Sequence, residues 1–287
     1  MSESRASHPK ANEPFDPATV PVRPAATVLL VRDADDEQQS GIDVFMLQRT
    51  LNAAFASGMY VFPGGRVDDI DGHDELCDLC DGLTDEEASG LLQIPSGGLA
   101  YWVAAIRECF EEAGVLLARH APTGELIKFD DPYTAKFFSE ARHRIHDGEM
   151  SLIELCHREN LHLITDSIHY VSHWVTPIGE RRRFDTRFFV ARAPVGQDPL
   201  HDDSETIDSL WVKPHEAIER HQRGELAMLP PTISNLEFLL PHSRSDEILA
   251  AARTVGVPPR IQPQIKIDDE GRVVAILMPG DPGFVEE

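Results

Sequence analysis

The sequence predicts an α/β fold in which strands and helices alternate along one domain. Three observations carry that expectation. Residues 25–31, Ala-Ala-Thr-Val-Leu-Leu-Val, form a short apolar run rich in β-branched side chains, the pattern of a buried strand. Residues 98–113 show apolar positions at spacings of three and four, the pattern of an amphipathic helix. Residues 168–175, 183–190 and 207–212 read as further strands, with helical patterns between and after them.

The chain begins with a polar, proline-containing stretch, and residues 1–21 are expected to be a disordered tail. Residues 22–287 are expected to form a single domain, because no Pro/Ser-rich linker or internal repeat divides them. After the first strand comes a polar turn, then a second strand over 42–49 that ends at Arg49. Arg49 reads equally well as a phosphate contact or as a surface salt-bridge partner. Phe62-Pro63-Gly64-Gly65 follows. Adjacent glycines let the backbone approach a ligand closely, although such a pair alone is usually just a turn.

In the amphipathic helix, Leu99, Trp102, Val103, Ile106, Phe110 and Ala113 share one face. Glu108, Glu111 and Glu112 lie opposite, within an arc of roughly 100°. Gly114 stands where a helix C-cap favours positive φ. Neighbouring carboxylates repel by a few tenths of a kcal/mol per pair. The last turn of a helix also disfavours negative charge. A hard divalent cation, Mg2+ or Mn2+, would offset both effects. The alternative is a solvated acidic face.

Arg107-Glu108-Cys109-Phe110-Glu111-Glu112-Ala113-Gly114-Val115 resembles R-E-U-x-E-E-x-G-U, the second half of the Nudix box, where U is apolar. The first half is similar to residues 62–68, which places the first acidic box position on Asp71, an Asp in place of Glu. Between the halves the usual seven-residue spacer has grown to about 35 residues, too long for an ordinary connection. This split box resembles the Nudix subfamily whose best-known members cleave coenzyme A and its esters. Gly58-x3-Phe62-Pro63-Gly64-Gly65 is similar to the tail of that subfamily's coenzyme A motif, with Ala54 where the motif carries Arg. Leu229-Pro230-Pro231-Thr232 also resembles the subfamily.

The resemblance implies an α/β/α sandwich with a mixed β-sheet, an insertion over about 72–100, added helices over about 130–160 and a helical C-terminal extension. Thr84 or Asp85 would cap a helix in the insertion, expected to form a cover beside the active site. The implied activity is metal-dependent hydrolysis of a diphosphate bond in a nucleotide conjugate such as coenzyme A. Glu108, Glu111, Glu112 and Asp71 would hold the cation. Glu111 is a ligand or base, Arg107 orients its neighbours, and Gly64 and Gly65 line the substrate. Nudix enzymes often bring one more acid from later in the chain, and Glu205 is the candidate. A nucleotide-binding domain that does not cleave is the alternative.

Further along, Glu180-Arg181-Arg182-Arg183-Phe184-Asp185-Thr186-Arg187 concentrates cations in an acidic chain. Guanidinium groups bind phosphates bidentately, so Arg183 or Arg187 is expected to contact substrate phosphate. The competing reading is a structural ion pair with Asp185. His173 on its strand reads as a satisfied core histidine. Residues 261–267 and 273–278 read as a closing hairpin.

A net charge of −23 argues against a nucleic-acid or anionic-membrane partner and leaves a small nucleotide substrate, bound through metal and local arginines. A homodimer is left open. Four cysteines make no disulfide framework, and Cys77-x-x-Cys80 lacks the second pair a zinc site would need. With no signal-peptide core and no Ser-Lys-Leu terminus, the expected compartment is the cytoplasm.

Overall fold

A computed structural model describes residues 16–34, 41–51, 53, 55–202, 206–268 and 273–285. Its centre is an eight-stranded mixed sheet. Strand β1 (Val22–Asp33) runs parallel to β8 (Arg183–Arg192) and antiparallel to β2 (Ile42–Arg49) and β4 (Gly64–Arg66). Outward from β8 lie β7 (Ile168–Val175) and β10 (Arg260–Ile261). On the other side, β2 pairs with both β3 (Tyr60–Val61) and β9 (Thr206–Val212).

Alternating side chains of β1 feed two cores. Ala26, Val28 and Leu30 pack with helix α3 (Leu99–Ala113), while Leu29 and Val31 pack with α6 (Pro214–Gln222), α7 (Pro230–Leu239) and α8 (Ser245–Ala252). Both sheet faces are covered, so the chain is an α/β/α sandwich. A strand buried on both faces reads as a continuous apolar run, which is why residues 25–31 show no alternation.

The insertion contains a short helix α1 (Asp74–Cys77) and α2 (Asp85–Leu92). Thr84 caps α2 through a reciprocal pair of bonds with Glu87. Asp85 in turn accepts from the backbone N–H of Leu99 at 3.0 Å, and Gly98 sits so close to Ser89 that no Cβ would fit. The helical part of the insertion therefore caps the start of α3, about 18 Å along the helix from Glu111.

The added helices are α4 (Pro132–His146), capped by Asp131, and α5 (Leu152–Glu159), capped by Ser151. A small antiparallel pair, β5 (Ala118–His120) with β6 (Leu161–Leu163), accompanies them. Residues 261–267 do not form one strand. Gln262 and Pro263 divide them, β10 joins β7, and β11 (Gln264–Ile267) pairs with β12 (Val273–Leu277). Pro263 has no N–H to continue a ladder. Of the expected tail, residues 1–15 lie outside the described residues and Pro17–Thr19 form a short 3-10 turn. Among the described residues no helix is long and apolar enough to cross a membrane.

Candidate active site

The two halves of the box, far apart in sequence, meet where β4 lies against α3. Gly65 pairs with Ala26, and a Cβ on Gly65 would lie 2.5 Å from the carboxyl carbon of Glu108. Gly64 is equally constrained from the other side, since its Cβ would lie 2.5 Å from the carbonyl oxygen of Ala26. The Gly64 N–H donates to Glu112 Oε2 at 2.9 Å. Glu112 is buried, with Arg49 Nη1 3.7 Å from its other oxygen. The glycine pair thus brings bare backbone against two box glutamates.

Arg107 organises the remaining acids. Its Nε and Nη2 donate to the two oxygens of Asp71 at 2.8 and 2.9 Å, and Nη2 also donates to the Arg66 carbonyl. Nη1 donates to Glu108 at 2.9 Å and to Glu111 at 3.1 Å. Asp68 completes the ring at 3.7 Å. Asp68 also has Arg66 at 3.0 Å, so Arg107 alone faces three carboxylates, those of Asp71, Glu108 and Glu111. Burial, together with the negative charges of Glu111 and Asp71, pushes the Glu108 carboxyl up to about 7 despite Arg107 beside it.

Residues 83–239 match the family described as the NUDT19 Nudix domain. The chain belongs to that family. It is 28% identical to the acyl-coenzyme A diphosphatase NUDT19 of Gallus gallus over 75% of this chain and 67% of that protein. The Homo sapiens protein of the same name is 27% identical, over 86% and 73%. A solved Nudix hydrolase from Alicyclobacillus acidocaldarius is 25% identical, with a TM-score of 0.67, and covers 84% of this chain and all of its own.

Nudix hydrolases generally use divalent metal ions, and the donor set here suits one. Carboxylates outnumber the cations around them, and Glu108 holds its charge poorly without further compensation. Among the described residues no three acids, histidines or cysteines converge into a ready-made cage.

Three expected site residues fall elsewhere. Asp71 is fully buried, with both oxygens on Arg107 and one also accepting from the Asp68 N–H, so it fixes the arginine. Arg187 is buried, and its guanidinium bonds Asp185, the Tyr170 hydroxyl and the Leu92 carbonyl. It ties the end of α2 to the sheet, the structural role that the competing reading foresaw for it beside Asp185. Arg183 donates to the Thr176 carbonyl, four residues and about 13 Å along the strand from the level of Gly65. Glu205 lies outside the described residues.

Other residues meet or escape the reading. His173 is a buried core histidine, Nε2 2.7 Å from Asp185. Burial pushes the Cys80 thiol up to about 12, so it offers no thiolate. Sequence reasoning missed Asp68, whose position beside the box glycines was the available signal. It also missed Arg142, which donates to the last turn of α3 and had no local pattern to mark it.

Proposed function

We propose that this chain hydrolyses the diphosphate bond of coenzyme A and its acyl esters, using Mg2+ or Mn2+ held by Glu108, Glu111 and Glu112. The observation that carries this reading is the buried surplus of carboxylate around Arg107, set against the glycine pair of β4. The two relatives named acyl-coenzyme A diphosphatase support the choice of substrate.

When bound, such a cation neutralises the diphosphate and acidifies the attacking water. The chain's residues set the geometry. Arg107 and Asp71 hold Glu108 and Glu111 on one side, and the Gly64 N–H holds Glu112 on the other. Arg49, 3.7 Å from Glu112 at the end of β2, would supply a guanidinium to a phosphate oxygen. Glu111 serves as ligand or as the base that takes the water's proton. Water oxygen bonds to one phosphorus, the bridging P–O bond breaks, and two phosphomonoesters leave.

The test is product analysis with Mg2+ or Mn2+ on coenzyme A, acetyl-coenzyme A, NADH, ADP-ribose and dinucleoside polyphosphates. Cleavage of coenzyme A or its ester into 3′,5′-ADP and a phosphopantetheine is expected. Metal-independent binding of a panel member, with no cleavage of any, would replace the enzyme by a nucleotide-binding domain.

A further inference from the structure

Helix α3 ends at Gly114, which takes φ +69° and returns its N–H to the Phe110 carbonyl. The carbonyls of Glu111 and Glu112 come after that bond, in the turn where a helix has no further N–H of its own to offer. Both are met from outside. Arg142, buried on α4, donates from Nε to the Glu111 carbonyl at 2.8 Å and from Nη2 to the Glu112 carbonyl at 2.9 Å.

This contact joins three demands. The last turn carries the negative end of the helix dipole and two glutamate side chains, so a cation there opposes the repulsion that would fray it. A guanidinium offers two donors in a rigid fork, which fixes both the position and the rotation of the turn, whereas an ammonium would fix only a point. The box glycine makes room for the fork, because a Cβ on Gly114 would lie 3.1 Å from Arg142 Nη1. The same helix also brings His146 Nδ1 to 3.7 Å from Glu111 Oε2.

We propose that Arg142 is a positioning residue of the active site. It holds the C-terminal turn of α3 so that Glu111 and Glu112 present their carboxylates at a fixed spacing to the cation and the diphosphate. The proposal rests on the functional reading above for its chemistry, but its first readout does not need turnover.

The full chain and its Arg142→Gln and Arg142→Lys variants are titrated with Mn2+, reading free ion by electron paramagnetic resonance, and their kcat and KM are then measured. Loss of a residue that orients metal ligands weakens metal binding by about 10- to 100-fold. Arg142→Gln is expected to fall in that range and to lose kcat by about as much while KM stays within about threefold. Arg142→Lys is expected to fall between Gln and the parent.

If Arg142→Gln does not fold, Arg142→Lys carries the test. Mn2+ affinity and kcat within about twofold of the parent in a folded variant, with only a lowered melting temperature, would overturn the proposal and leave Arg142 a tether for α4. A parent chain that binds Mn2+ but cleaves no diphosphate would defeat the functional reading alone, since the Mn2+ comparison still decides the role of Arg142.

Discussion

Two buried arginines, Arg107 and Arg187, show why one cluster is a site and the other is a fastening. Their side chains are 10% and 7% exposed, so neither relies on water to carry its charge. Arg187 meets one carboxylate, Asp185, and then neutral acceptors, the Tyr170 hydroxyl and the Leu92 carbonyl. Its charge is balanced. Arg107 meets Asp68, Asp71, Glu108 and Glu111 at once. Negative charge is left over there, in a place where it is poorly solvated, and a divalent cation is the natural counterweight.

The sharpest way to break this comparison is to remove a carboxylate from each cluster. Glu111→Gln should lower kcat by about 10^3-fold in a folded protein, while Asp185→Asn should leave it within about threefold. Equal losses would erase the distinction. Removing the arginines comes next. Truncating one partner of a buried ion pair costs about 3–5 kcal/mol, and Arg107→Met should reach that range because Asp71, Glu108 and Glu111 lose their partner. Arg187→Met should cost less. Added Mn2+ should recover part of the stability of Arg107→Met and none of that of Arg187→Met, read as melting temperature. Recovery of both, or of neither, would mean that the surplus charge around Arg107 does not attract the ion.

The glycine pair gives a smaller effect. A Cβ at Gly65 meets a side-chain carboxylate, which can swing aside, so Gly65→Ala should keep the fold and lower kcat by about 10- to 100-fold. At Gly64 the Cβ meets backbone, so Gly64→Ala should lower the melting temperature instead. Activity retained in folded Gly65→Ala would show that Glu108 need not stay where the glycine lets it lie.

Much of this was legible beforehand, because local patterns report local causes. The run 25–31, the Glu108-Glu111-Glu112 spacing and the capping signal at Thr84 all appear where their side chains require them. What sequence reading could not resolve was direction in space. Arg183 and Arg187 share one face of β8 with Asp185, but Arg187 is buried and spends its donors on Asp185, the Tyr170 hydroxyl and the Leu92 carbonyl. Asp71 sits at the box position for a ligand, yet Arg107 claims both its oxygens. The partner of the last turn, Arg142, comes from a helix that no spacing rule connects to the box.

The smallest prediction isolates the cause of the charge surplus. Glu108 ordinarily titrates near 4.5, and burial pushes it up to about 7. The folded state therefore holds this proton more tightly than the unfolded one, so the group's contribution to stability is complete below about pH 4.5 and is lost as pH rises through about 7. Other carboxylates, such as Asp33 and Asp185, are held below their usual range and act in the opposite sense, so the absolute stability curve mixes both. The difference between the metal-free parent and Glu108→Gln removes them. That difference should move against the parent by about 1–3 kcal/mol between pH 4.5 and 8, measured by denaturant unfolding. Mn2+ at pH 8 should restore more stability to the parent than to the variant, because only the parent offers a carboxylate in exchange for the proton. A difference flat in pH would mean that Arg107 compensates Glu108 fully and that Arg107 and Arg187 differ in partners but not in balance of charge.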